Sequence, residues 1–411
     1  MRSSDRIAND GEKRILTINS GSSSIKLSLY HMGPAETLLL SGIIRNIGQD
    51  DGFFSVTKSD GAGLFERHFD IPDHDAALRA FFEWFDHGPE YKDLNAVGHR
   101  VVHGGERYVR PEIVDDRLLQ ALNALVPLAP DHLPQEIKAI SEFRRLHPDV
   151  MQVACFDTAF HRSMPDVAQL YALPQEVRRQ GVLRYGFHGL SYEYILSELN
   201  RVAGAGIAGG KVIIAHLGNG ASMGAFRNGK SIDTTMGFTP AGGLVMSTRS
   251  GDLDPGVLVY LLREKGLDAS ALNRLVNKQS GLLGASGTSS SMKELLDKEQ
   301  SDARAAAAVD LFCYQARKFV GALSAVLGGL DTLIFTGGIG ENAPSIRERI
   351  CKDLEFLGID VERDRNLKNS PMISRDRGPV AVRVMKTNEE LMIARHTYAL
   401  IMRGGSTHGH Q

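Results

Sequence analysis

The chain has 411 residues, too long for one ordinary hydrophobic core and suited to two domains of conventional size. Lysine and arginine total 47 against 49 aspartates and glutamates, a formal charge of −2 with no block of like charge, which argues against nucleic acid or an acidic membrane surface as the main partner. Three cysteines, Cys155, Cys313 and Cys351, form no CxxC pair and read as buried thiols of a reducing cytoplasm, while no run approaches the ~18 apolar residues of a membrane span.

Residues 1–14 are polar, without the apolar core of a signal peptide, and read as a disordered extension. Ile15-Leu16-Thr17-Ile18 is a strand that turns at Asn19-Ser20-Gly21-Ser22-Ser23-Ser24 into a second, alternating strand, Ile25 to Tyr30. Further strands are expected over Ser41 to Ile47 and Gly52 to Lys58, and a helix over Ala76 to Phe85 with Leu78, Phe81, Phe82 and Phe85 on one face. A buried strand follows at Ala96 to Val102, then helices over Asp116 to Val126 and Pro134 to Arg145, then a buried strand Val153-Ala154-Cys155-Phe156 that ends on Asp157. Strands alternating with helices indicate an α/β domain.

The second half repeats the scheme. Val212-Ile213-Ile214-Ala215 leads into His216-Leu217-Gly218-Asn219-Gly220-Ala221 and the strand Ser222 to Phe226. Helices are expected near Pro255 to Glu264, Ala269 to Asn277, Met292 to Asp297 and Ala303 to Leu327. The strand Thr332 to Thr336 opens on a glycine turn, Gly337 to Asn342, and a closing helix starts at Thr387, whose hydroxyl has capping-box spacing to Glu390. The tail, 404–411, is Gly-, Ser- and His-rich and reads as disordered.

The two glycine-centred turns, one per half, look like copies of one phosphate-gripping hairpin. Glycine lets the backbone approach an anion, and flanking Ser, Asn and Lys donate hydrogen bonds to it. By contrast, Gly224-Ala225-Phe226-Arg227-Asn228-Gly229-Lys230-Ser231 matches the Walker A spacing but is rejected, because a P-loop needs a following helix and Asn228-Gly229 is a type I′ hairpin signal. Gly338-Ile339-Gly340 lacks the third glycine of a dinucleotide fingerprint, yet a turn at a strand's carboxyl end is a place for a nucleoside or phosphate.

Arg100 lies inside an apolar strand, where an unpaired guanidinium is expensive to bury, so it needs either an anionic ligand or a structural ion pair with an acid elsewhere. Arg249 stands beside a glycine turn, Asp157 ends a strand, and His188 precedes a helix. Such residues would hold a carboxylate acceptor and a transferring phosphoryl group, although a capping Asp and a satisfied His read the same way. Sequence alone does not bring them together.

Eight motifs in order, Asn19 to Lys26, Gly98 to Gly105, Phe156 to His161, Tyr185 to Gly189, His216 to Gly220, Met236 to Pro240, Thr336 to Asn342 and Thr387 to Leu391, resemble the signature set of the acetate kinase family over about Ile15 to Ala399. The resemblance implies an α/β fold of two duplicated actin-like (ribonuclease H-like) domains with a nucleotide cleft between them. It implies an acyl-substrate domain over 15–157, completed by a C-terminal helix 388–403, and a nucleotide domain over 158–387. Reversible phosphoryl transfer from ATP, with Mg²⁺ or Mn²⁺, to the carboxylate of acetate, or of propionate or butyrate, is the implied reaction, with acyl phosphate and ADP as products. A non-catalytic ATP-binding switch of the same superfold is the reading from another class. A homodimer in the cytoplasm is also implied.

Carried over by motif, the metal region falls on Asn19 and Glu389. Nucleotide contacts fall on Lys26, His216, Leu217, Gly218, Asn219, Gly220, Gly338, Ile339, Gly340, Glu341 and Asn342, with the ribose region at Ser291, Met292 and Lys293. The acyl arginine matches Arg100, the essential aspartate Asp157, the transition-state stabilisers His188 and Arg249, and the acyl methyl pocket Val102, Phe187 and Pro240. Three runs depart from the family pattern. Asp131-His132-Leu133-Pro134 stands for Leu-His-Asn-Pro, Ser291-Met292-Lys293 for Asp-Met/Phe-Arg, and Leu190-Ser191-Tyr192 for Thr-Ser-His.

Overall fold

A computed structural model describes residues 11–21, 23–88, 93–376 and 378–405. Of the disorder expected at 1–14 and 404–411, residues 1–10 and 406–411 lie outside the described residues, whereas Lys13 and Arg14 begin a strand and the last helix runs to Gly405. The chain divides into two compact units, one running to Ala159 and resuming at Asn388, the other spanning Phe160–Thr387.

Unit 1 is built on an eight-stranded sheet. Its strands are β1 (Lys13–Ser20), β2 (Ser24–Met32), β3 (Thr37–Arg45), β4 (Phe53–Lys58), β5 (Gly63–His68), β6 (Ala96–Val101), β7 (Glu112–Ile113) and β8 (Met151–Phe156), in the order β5-β4-β3-β2-β1-β6-β8-β7. β1 begins two residues before the expected strand, because Lys13 and Arg14 extend the ladder opposite Met32 and His31. β5 escaped the sequence reading because it is an almost wholly exposed edge strand with no apolar face to betray it.

Unit 2 holds a five-stranded sheet, β9 (Val212–Leu217), β10 (Ala221–Arg227), β11 (Lys230–Thr234), β12 (Thr332–Thr336) and β13 (Ala381–Val384), in the order β11-β10-β9-β12-β13. The duplication is now explicit. In each unit three antiparallel strands, β3-β2-β1 or β11-β10-β9, are followed by two parallel ones, β6-β8 or β12-β13.

The glycine turns occupy equivalent places. Ser20 pairs with Ile25 across the first, where Gly21 N donates to Ser24 O at 2.7 Å, and Leu217 pairs with Ala221 across the second, where Gly218 N donates to Gly220 O at 2.9 Å. The Walker-like run is indeed a hairpin: Arg227 pairs with Lys230 around Asn228 and Gly229, both with positive φ.

In unit 1 the helices α1 (His74–His87), α2 (Asp116–Leu125) and α3 (Leu133–Leu146) join the sheet, and Leu78, Phe81, Phe82, Phe85 and Phe143 bury with Leu27, Ile44, Phe54 and Val97. Asp73 caps α1 by accepting from Ala76 N. The Glu389–Gly405 helix returns to unit 1, setting Leu391, Ala394, Tyr398 and Ile401 against Ile15, Tyr30 and Met32. Its cap differs from the expected capping box. Asn388 Oδ1 accepts from Leu391 N at 2.9 Å, while the Thr387 hydroxyl is taken by Ser191 at 2.8 Å.

In unit 2, α4 (Gly189–Ala203) packs Tyr192, Ile195, Leu196 and Leu199 on Val212, Ile214, Phe226 and Ile334. The long helix α5 (Ala303–Leu327) is capped by Asp302. Gly337–Asn342, expected as a turn, is a short helix, α6, entered through Gly337 at φ 78°. A Cβ there would lie 2.7 Å from Leu217 O, so glycine is required both for the left-handed backbone and for the close approach of β12 to β9. All three cysteines are buried and none forms a disulfide, and among the described residues no helix is long and apolar enough to cross a membrane.

Candidate active site

The unit 1 residues singled out from sequence meet at the carboxyl ends of β1, β6 and β8, where open α/β sheets receive ligands. Arg100, the penultimate residue of β6, sits opposite Cys155 of β8 in parallel register, and Asp157 follows the last residue of β8. That register sets the two side chains beside each other. Arg100 Nε donates to both Asp157 carboxylate oxygens at 3.1 Å, and Nη2 closes on Oδ2. The Arg100 and Asp157 side chains are 14% and 1% exposed. Burial works to lower the arginine's pKa, but the negative charges of Asp157 and Glu389 and the hydrogen bond to Asp157 more than offset it, and the guanidinium is held above its ordinary value.

From Arg100 a polar chain runs on. Its Nη1 donates to Asn19 Oδ1 at 3.3 Å, and Asn19 Nδ2 donates to Glu389 Oε2 at 3.2 Å and to Glu390 Oε1 at 3.3 Å. Lys26, opposite Asn19 in the β1–β2 ladder, pairs with Glu390 at 3.8 Å. The sequence required an anion for Arg100 and left open whether it was ligand or structural acid. The structure supplies Asp157, while Nη1 turns toward Asn19. Lys26 therefore belongs to unit 1 with the Arg100 group, whereas the other nucleotide candidates lie in unit 2. Val102, a candidate for the acyl pocket, is buried, and its N–H donates to Glu136 Oε2 at 2.9 Å.

In unit 2, His188 is the residue before α4 and adopts the left-handed conformation at φ 60°. Its Nδ1 is hydrogen-bonded to Ser222 Oγ at 2.8 Å, and the same hydroxyl contacts Tyr192 OH. Tyr192, one of the departures from the family pattern, is thus tied to the group that orients His188. The His188 ring stacks on His216 at 4.3 Å between centroids, and His216 Nδ1 bonds Ser191 Oγ at 2.8 Å. Arg249 Nη1 donates to Pro240 O at 2.8 Å.

His188 and Arg249 converge on the second glycine turn. A Cβ on Gly220 would lie 3.3 Å from His188 Nε2 and 3.5 Å from Arg249 Nη2. Gly218 in turn lies near Gly338, whose N would be 3.9 Å from a Cβ on Gly218, because β9 and β12 run in parallel with His216 opposite Thr336. So His188, Arg249, the His216–Gly220 turn and the start of α6 form one neighbourhood.

Other candidates have quieter settings. Glu341 Oε1 accepts from Gly337 N at 2.9 Å and Thr387 N at 3.2 Å, which pins the turn into α6, and Asn342 Nδ2 donates to Gly338 O. Phe187 is buried, with its carbonyl bonded to His161 Nε2 at 3.0 Å. Ser291 caps the Met292–Lys298 helix, and its hydrogen bonds stay within residues 289–295. Lys293 is exposed there. Glu136 and Ser222 escaped the sequence reading, and Glu390 entered it only as a capping-box residue, since each acts through a fold contact that no local pattern announces.

The acetokinase family matches residues 14–395. The chain belongs to the acetokinase family. An acetate kinase of Rhodopseudomonas palustris (strain TIE-1) is 46% identical over 395 residues, covering 94% of this chain and 98% of that protein. The crystal structure of an acetate kinase from Porphyromonas gingivalis superposes with a TM-score of 0.84 at 38% identity, covering 95% of this chain and 100% of that one. A propionate kinase from Francisella tularensis gives 0.87 at 34% identity, covering 94% and 99%. The resemblance drawn from the eight motifs is borne out, and the duplicated actin-like fold with it. As an acetokinase the chain is a phosphotransferase acting on a short-chain carboxylate, with ATP as co-substrate.

Proposed function

We propose that the chain transfers the γ-phosphoryl group of ATP reversibly to the carboxylate of acetate, giving acetyl phosphate and ADP. The observation that carries the site assignment is the convergence of His188 Nε2 and Arg249 Nη2 over Gly220. Two donors aimed at one point of a glycine turn suit a group that gains charge on its equatorial oxygens during transfer. A carboxylate is ionised at neutral pH, so the acceptor needs no general base, and positioning with charge neutralisation carries the catalysis.

In this reading Arg100 binds the acceptor carboxylate through the edge that now faces Asn19. Asp157 fixes the guanidinium plane rather than abstracting a proton. For the acyl methyl the proposed residues are Val102 in unit 1 and Phe187 and Pro240 in unit 2. For the nucleotide they are the His216–Gly220 turn, Gly338 to Asn342 and the Ser291–Lys293 cap in unit 2, and Lys26 in unit 1. Asn19 and Glu389 are the residues proposed for a divalent cation, Mg²⁺ or Mn²⁺, but Asn19 turns its amide nitrogen to Glu389 and its oxygen to Arg100, so only the Glu389 carboxylate offers oxygen to a hard ion in this arrangement. The cation would neutralise phosphate charge when bound.

The second reading keeps another short acid as acceptor. Asp131, on the turn before α3, stands where the family pattern has an apolar leucine, and a methylene in an apolar pocket is worth only ~1–3 kcal/mol, so the pocket residues do not fix the chain length. Propionate or butyrate is the alternative acceptor. The homodimer is proposed through the Pro255–Glu264 helix, which exposes Val257, Val259, Tyr260 and Leu262 together. Three buried cysteines outside any disulfide support a reducing cytoplasm.

Hydroxamate formation from acetate, Mg-ATP and hydroxylamine tests the proposal. Acyl hydroxamate with acetate supports it, and a higher kcat/KM for propionate or butyrate transfers it to that acid. No product with any short acid refutes it in favour of an ATP-binding switch.

A further inference from the structure

Glu136 lies in the first turn of α3 and is 2% exposed. One oxygen, Oε2, accepts from Val102 N at 2.9 Å, two residues beyond Arg100. The other, Oε1, is buried with no hydrogen-bond partner among the described residues. A carboxylate in that position leaves a bare, desolvated oxygen beside the acceptor arginine, which a neutral carboxyl tolerates far better.

We infer that Glu136 is a positioning residue of the acceptor site: uncharged, it holds the end of β6 at Val102 and leaves Arg100 to the substrate carboxylate, and ionised, it competes with that carboxylate for Arg100. The inference rests on the acceptor role proposed for Arg100.

Burial pushes the Glu136 carboxyl up to about 8, against the opposing effects of Arg100 and the Val102 N–H, while Asp157 adds to the rise. Arg100 on β6 and Asp157 after β8 are the charged groups in electrostatic reach. The Asp116–Arg144 pair that links α2 to α3 stands at more exposed positions. Acetate itself is ionised throughout the neutral and alkaline range, so its own titration does not enter.

The test measures kcat and KM for acetate at saturating Mg-ATP across neutral and alkaline pH in the wild type, Glu136→Gln and Arg100→Ala. With the proton leaving near pH 8, the neutral fraction of Glu136 falls about tenfold from about pH 7 to about pH 9. KM for acetate should therefore rise about tenfold in the wild type, with kcat little changed. In Glu136→Gln, which keeps an oxygen for Val102 N but cannot ionise, the rise should shrink to within about twofold.

A wild-type KM that is flat in pH, or an alkaline rise retained in Glu136→Gln, overturns the inference. An Arg100→Ala protein with unchanged KM for acetate overturns the acceptor role beneath it, which separates the two failures. Thermal unfolding gives a second readout independent of turnover. The folded pKa is raised above its ordinary 4.5, so the stability Glu136 contributes is lost as pH climbs from about 4.5 to about 8. Glu136→Gln should lack that slope, and an unchanged slope counts against the inference.

Discussion

Arg100→Ala removes one partner of an ion pair whose carboxylate is 1% exposed and whose guanidinium is 14% exposed. The structure gives Asp157 two Nε contacts at 3.1 Å and the Nη2 contact, and all of them vanish in the variant. Breaking a buried pair from one side leaves an uncompensated charge and costs about 3–5 kcal/mol. The variant should lose that much unfolding free energy in urea titration. Arg100→Ala combined with Asp157→Ala should recover part of the loss, because the stranded charge is then gone. A loss under about 1 kcal/mol, or a double variant weaker than both singles, would refute the pairing as the determinant of Arg100's position.

Arg249→Ala should lower kcat by roughly 10² to 10⁵ with a much smaller change in KM for acetate, since the group is assigned to charge that develops in transfer. Steady-state kinetics within about tenfold of wild type would remove that role. Gly98→Ala places a Cβ 2.5 Å from Ile393 Cγ2 and against Thr397 Oγ1, on the helix that returns to unit 1. Overpacking of this kind costs about 1–3 kcal/mol, and Ile393→Ala in the same chain should relieve part of it in thermal melts. A Gly98→Ala protein that melts like the wild type would contradict the packing of that helix on β6.

Elements whose information is local were legible in the sequence. Both glycine hairpins, the alternating strands around them and the type I′ turn at Asn228-Gly229 follow from periodicity and turn chemistry over a dozen residues. The same locality separated the Walker-like run from a true phosphate loop. Where a local rule had a competitor it failed. The Thr387 hydroxyl was read as a cap but bonds Ser191, distant in the chain, and Asn388 caps instead.

Residue types alone dictated that Arg100 must meet an anion, because a bare guanidinium in an apolar strand is too costly to bury. Which anion it pairs with was a matter of register: β6 and β8 align Arg100 with Cys155, which brings Asp157, fifty-seven residues away, into hydrogen-bonding reach. Glu136 shows the same limit from the other side, for its place over Val102 depends on how α3 packs against β6, and nothing in Leu133-Pro134-Gln135-Glu136 encodes that contact. Chemistry carried by one residue can be read along a chain. Partners that meet only when strands pair and helices pack are set by free energies summed over the whole fold.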